Sequence, residues 1–123
     1  MFLYMLVLTV FVLAALLTPE RVGQPNRIRA LQMILKPYSG LNPDLYTKYV
    51  NNLELFGENI NYTDSAKDYL YSALDNAEDL KLYGDVEFND TILIVAKEGE
   101  KILLEHALKN GDHFYPKYGG VQD

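Results

Sequence analysis

The chain has 123 residues, no cysteine, and eleven Lys or Arg against seventeen Asp or Glu, for a net charge of −6. Without cysteine there is no disulfide framework, no thiolate nucleophile and no thiolate metal site. The acid excess is uneven: residues 18–37 carry Arg21, Arg27, Arg29 and Lys36 against Glu20 alone, whereas residues 38–123 hold seven Lys and sixteen acids, a net of −9, which repels phosphate backbones and leaves nucleic acid out of the expected partners.

The first segment, MFLYMLVLTVFVLAALL, has no charged side chain in seventeen residues. A secretory signal carries a positive region before its apolar run and a small-x-small site after it; here the run starts apolar, and Ala14-Ala15 leads into Leu16, Leu17, Thr18 and Pro19. As a helix the segment spans about 25 Å, slightly under a typical hydrocarbon core of about 30 Å. It is apolar on every side, whereas a helix on the surface of a soluble domain keeps a polar stripe. The pattern predicts a transmembrane anchor over residues 1–18, with Phe2, Leu3, Leu6, Leu8, Phe11, Leu13 and Leu17 in lipid. A core helix, including one inside an oligomer, and a cleaved signal are the alternatives. The basic residues that follow orient a single-pass protein with its N-terminus across the membrane and its C-terminal domain cytosolic.

Residues 19–37 form a basic connector. Pro25 suits a first helical position, Ile28, Leu31, Met33, Ile34 and Leu35 follow as an apolar set, and Pro37 stops the element. A helix over 25–36 is expected, lying on the membrane surface with Arg21, Arg27, Arg29 and Lys36 toward anionic headgroups, or serving as a plain junction.

Three longer helices are predicted over residues 38–111. Asn42-Pro43-Asp44 is a start signal with a capping Asn, Pro at the first position and an acid complementing the helix dipole. Leu45, Tyr46, Tyr49, Val50, Leu53 and Phe56 recur at three and four before Gly57 closes the element. The second begins at Thr63 and carries Ala66, Tyr69, Leu70, Ala73, Leu74, Ala77 and Leu80 before Gly84. The third runs from about Asp85 to Asn110, with Phe88, Ile92, Leu93, Val95, Ala96, Gly99, Ile102, Leu103, His106 and Ala107 on one broad face, before Gly111 ends it. Its ILIV at 92–95 also fits a strand, and Gly99 marks either a close helix crossing or a bend. Short connections make this a small antiparallel three-helix bundle, so the fold class is all-α. The triplets Asn61-Tyr62-Thr63 and Asn89-Asp90-Thr91 fit a glycosylation pattern, but Asn and Thr beside helix starts read better as caps.

The tail, GDHFYPKYGGVQD over 112–123 with its preceding glycine, is too rich in Gly and Pro for helix and concentrates Phe114, Tyr115 and Tyr118. Ordering it requires a surface, supplied by a neighbouring chain or by its own bundle. These three aromatics are the candidate partner-binding residues.

No catalytic set emerges. His106 sits on an apolar helix face, where a core or rim role is the ordinary one. His113 stands beside Asp112 without a Ser, Cys or metal-spaced partner. No metal-binding spacing and no Gly-rich phosphate loop is present; Gly119-Gly120 lies in the tail with no strand before it. No enzyme activity, cofactor, metal or small-molecule substrate is expected.

The uncharged N-terminal segment, the basic junction and the acidic, Asn- and Tyr-rich body NPDLYTKYVNNLELFGENINYTDSAKDYLYSALDNAEDLKLYG resemble the small membrane-associated minor capsid proteins of large icosahedral double-stranded DNA viruses that carry an internal membrane. The resemblance implies a structural virion protein that links the membrane to the capsid shell, with other capsid or assembly proteins as partners and its C-terminal domain facing the capsid. It brings no catalytic residues. The alternative is a membrane-tethered helical adaptor that docks a soluble partner.

Overall fold

In the computed structural model, residues 24–84 and 88–118 are described, and every regular element among them is helical. The elements are α1 (Gln24–Met33), a 3-10 turn (Lys36–Leu41), α2 (Pro43–Glu58), α3 (Thr63–Lys81) and α4 (Asn89–Lys109). The fold is all-α as expected, and the ILIV stretch at 92–95 is helix.

The start of α2 follows the sequence signal closely. Asn42 is extended, its side-chain oxygen accepts a hydrogen bond from the Leu45 N–H at 3.2 Å, Pro43 is the first helical residue and Asp44 lies in the first turn. The end of α4 is equally legible. Gly111 adopts a φ of +70°, a left-handed conformation that favours glycine. The Asp112 N–H then reaches the Ala107 carbonyl at 2.8 Å and the Gly111 N–H the Leu108 carbonyl at 3.2 Å, the paired bonds of a Schellman cap.

The other starts differ from expectation. Thr63 and Asn89 are the first residues of α3 and α4 rather than their caps; Tyr62 and Phe88 hold the cap positions, with no side-chain capping bond at either. Asn89 is drawn away by Lys81, whose Nζ donates to its Oδ1. Gly57 does not end α2, which continues to Glu58. Its role is proximity: a Cβ at Gly57 would lie 3.3 Å from Ile28 Cγ1 of α1. Gly99 plays the same part at the α3–α4 crossing, where a Cβ would fall 2.5 Å from Leu70 Cδ1. Of the two readings of Gly99, close crossing is the one realised.

The core gathers the predicted stripes: Tyr49, Leu53 and Phe56 of α2, Ala66, Leu70, Ala73, Leu74, Ala77 and Leu80 of α3, and Ile92, Val95, Ala96, Ile102, Leu103 and Ala107 of α4. α2 and α3, joined by only four residues, fold back as a helical hairpin. Asn52 and Asn76 hydrogen-bond across it at 2.7 Å.

The connector helix is part of this core, so the expected three-helix bundle has a fourth member. Ile28, Ala30, Leu31, Ile34 and Leu35 are all buried. The last carbonyls of α1 have no partner within their own helix, and α2 supplies donors. The buried Tyr49 hydroxyl donates to the Leu31 carbonyl, and the Tyr46 hydroxyl donates to the Gln32 carbonyl at 3.3 Å. In return the Gln32 amide donates to the Val50 carbonyl at 3.0 Å and to Glu54 at 2.9 Å. The 3-10 turn that follows carries Tyr38, whose ring stacks on Phe88 with centroids 4.3 Å apart.

Two expectations are therefore corrected. Arg27 does not point toward lipid headgroups: its side chain is 6 % exposed and lies within the bundle, while Arg29 and Lys36 are exposed and Arg21 is outside the described residues. Of the apolar set, Ile28, Leu31, Ile34 and Leu35 face the bundle and are not available as a membrane-facing stripe, while Met33 is exposed. The single-pass membrane placement is corrected as well, because no helix among the described residues is long and apolar enough to cross a membrane. The segment named as its anchor, residues 1–18 with Phe2, Leu3, Leu6, Leu8, Phe11, Leu13 and Leu17, lies outside the described residues.

Candidate docking surface

Glu100 is the residue around which the C-terminal side of the molecule is arranged. It lies on the inward face of α4, one turn from Ala96 and Leu103, and is fully buried. A buried carboxylate is tolerated only with strong hydrogen-bond donors around it. Its Oε2 accepts from the Tyr71 hydroxyl of α3 at 2.7 Å and from the Lys117 backbone N–H at 2.8 Å; its Oε1 accepts from the Tyr118 backbone N–H at 2.8 Å. Two of these donors belong to the tail, which is thereby fastened to its own bundle. Burial, and then the hydrogen bond to Glu100, raise the Tyr71 phenol above its ordinary range. The Lys117 ammonium completes the clasp, 4.7 Å from the centre of the Tyr71 ring.

The three candidate tail aromatics part company. Phe114 is 7 % exposed and belongs to the core, so the open question of where the tail lies is answered for this residue by its own bundle. Tyr115 is 82 % exposed and Tyr118 is 48 % exposed. The backbone bonds to Glu100 thus hold a short segment that turns one aromatic inward and two outward.

Two concavities flank this segment. On one side, Tyr118 borders a groove of about 320 Å³ between α3 and α4, with Leu74, Ile92, Leu93 and Ala96 below and Asp75, Glu78 and Asp90 around it. On the other, Thr63, Lys67, Tyr71, His113, Tyr115 and Lys117 line a cleft of similar volume. At the Asp112–His113 pair, Asp112 Oδ1 accepts from the His113 backbone N–H at 2.9 Å, and both residues are exposed. His106 is partly buried, and desolvation lowers its pKa. No three His, Asp or Glu side chains converge in a metal-binding group among the described residues.

Arg27 is the second buried charged side chain among the described residues. Arg27 Nη1 and Nη2 donate to the two oxygens of Glu105 at 2.8 and 3.2 Å, a fork-on-fork pair joining α1 to α4. The Arg27 hydrogen bond holds the Glu105 carboxyl below its ordinary 4.5. A carboxyl depressed by folding contributes stability that is present above its unfolded pKa and is lost as pH falls through the folded value. Acidification from pH 5 to pH 3 is therefore expected to lower the melting temperature of the wild type more than that of Arg27→Met, which lacks the partner. Parallel melting curves of the two across that range would show this ion pair to be without effect.

Neither Glu100 nor Arg27 was singled out for these roles on sequence grounds. For Glu100 a signal existed, since spacing from Ala96 and Leu103 places it on the apolar stripe. No known protein family, curated protein or solved structure matches the chain.

Proposed function

We propose that the chain is a structural docking protein, one that joins other proteins in an assembly and performs no catalysis. The observation that carries this reading is the outward presentation of Tyr115, 82 % exposed on a segment whose neighbour Phe114 is buried and whose backbone is tied to Glu100. An exposed aromatic on a pre-ordered segment loses little conformational freedom on binding, which favours its use as an interface anchor. A component of a virion shell, the setting implied by the resemblance in sequence, is the form of assembly proposed; an adaptor for a single soluble partner is the second reading.

The test is sedimentation of the chain from the cells or particles that contain it. The wild type is expected in a particle or large complex at fixed stoichiometry. Tyr115→Asp should move it to light fractions, through a loss of about 2 kcal/mol or more of binding, with no change in the melting temperature of the isolated protein. Fixed stoichiometry within a purified particle supports the virion reading, and one co-purifying soluble protein supports the adaptor. Sedimentation of both forms as free chains would remove the docking reading altogether.

A further inference from the structure

The groove beside Tyr118 combines two features that the cleft on the other side of the tail lacks. Its floor is aliphatic: Leu74, Ile92 and Ala96 are nearly buried, and Leu93 stands 40 % exposed among them. Its rim is acidic, with Asp75, Glu78 and Asp90, all exposed. Glu78 is engaged by Lys81, whose Nζ donates to Glu78 Oε1 at 3.1 Å and to Asn89 Oδ1. Asp75 and Asp90 have no Lys or Arg within ion-pair distance among the described residues. Residues 38–123 carry a net charge of −9, so the surrounding field adds to the local one. An acidic surface is repelled from such a groove, whereas a cationic one is steered toward it.

We propose that this groove seats a basic amphipathic segment of a partner protein, with aliphatic side chains on Leu93 and Ile92 and Lys or Arg against Asp75, Glu78 and Asp90. The inference rests on the docking reading above and names the chemistry of the partner. Tyr118, 48 % exposed at the border of the groove, supplies an aromatic edge to the same contact, and the Glu100 clasp fixes its position.

A fluorescent synthetic peptide with leucine and lysine at helical amphipathic spacing is the probe, titrated against the full-length chain by anisotropy at several salt concentrations. Affinity should fall as salt rises and should drop about tenfold or more in the Asp75→Lys, Glu78→Lys, Asp90→Lys triple variant. A control triple variant with the same change in net charge on other exposed positions, Asp44→Lys, Glu58→Lys and Asp68→Lys, should lose only about twofold. Leu93→Ser, at a partly exposed site that tolerates substitution, should weaken binding severalfold, and a lysine peptide without leucine should bind correspondingly less.

Equal losses in the two triple variants would reduce the effect to net charge and overturn the proposal, as would equal binding of the leucine-free peptide. The wild-type salt series and Leu93→Ser decide the matter even where a triple variant fails to fold. Concentration-dependent dimers abolished by the groove variant would assign the groove to a second copy and also overturn it. If the probe fails while Tyr115→Asp still releases the chain from its particle, the docking reading stands and the basic occupant is wrong.

Discussion

Glu100→Ala is expected to lower stability by about 3 kcal/mol and to release the tail while leaving the bundle helical. The substitution strips acceptors from the Tyr71 hydroxyl and from two backbone N–H groups, and hydrogen bonds to a charged partner contribute about 1.5–3 kcal/mol each. The sum is not realised in full. Removing the carboxylate also removes the cost of burying it, and the freed tail donors regain water when the segment swings out. The sharper readout is local: hydrogen exchange at Lys117 and Tyr118 should accelerate to that of an unprotected chain. Glu100→Gln keeps the shape and one acceptor but turns an NH2 toward a donor, and is expected to cost about half as much. If the Ala variant melts like wild type with protected tail amides, the clasp does not hold the tail.

Tyr49→Ala is expected to be more damaging, by about 4 kcal/mol or more. Tyr49 is fully buried. Truncating a buried aromatic typically costs about 3–5 kcal/mol in transfer and cavity terms. The loss also orphans the Leu31 carbonyl at the end of α1, and an unsatisfied buried acceptor adds about 1–3 kcal/mol. A domain of this size has about 5–15 kcal/mol in total and loses roughly 4–8 °C of melting temperature per kcal/mol, so a fall of about 15 °C or more should be seen. Tyr49→Phe isolates the hydroxyl and should cost about 1–3 kcal/mol. Equal melting of wild type and Phe variant would mean that the Leu31 carbonyl finds another partner.

The parts of the fold that were readable in advance are those governed by local rules. Asn42-Pro43-Asp44, the alternation from Ala66 to Leu80 and the stop at Gly111 each act through a few neighbouring residues, and all three are realised. What escaped is decided by residues far apart in the chain. Gly57 reads as a terminator because glycine so often is one, yet its neighbour is Ile28, twenty-nine positions earlier. Arg27 reads as a surface cation in a basic stretch, and only the approach of Glu105 makes its burial tolerable. The tail shows both behaviours: its described part, residues 112–118, is not helical, as its Gly and Pro content suggests, but its resting place depends on the distant Glu100. The exposed Tyr115 and Tyr118 stand out in the composition of the tail, whereas the groove does not, since its acidic rim is assembled from two helices.

The ion pair between Arg27 and Glu105 spans 78 positions, and it has a consequence for how the protein is made. The α2–α3 hairpin joins sequence neighbours and needs little loop closure, which favours rapid early formation. Helix α1 cannot complete its packing until α4 has been synthesised and has left the ribosome. Until then Arg27 lacks the Glu105 carboxylate that pairs with it. The seal between α1 and α4 is thus the closing event among the described helices, and a ribosome stalled before residue 105 should expose a protease-sensitive nascent chain that becomes resistant once α4 emerges.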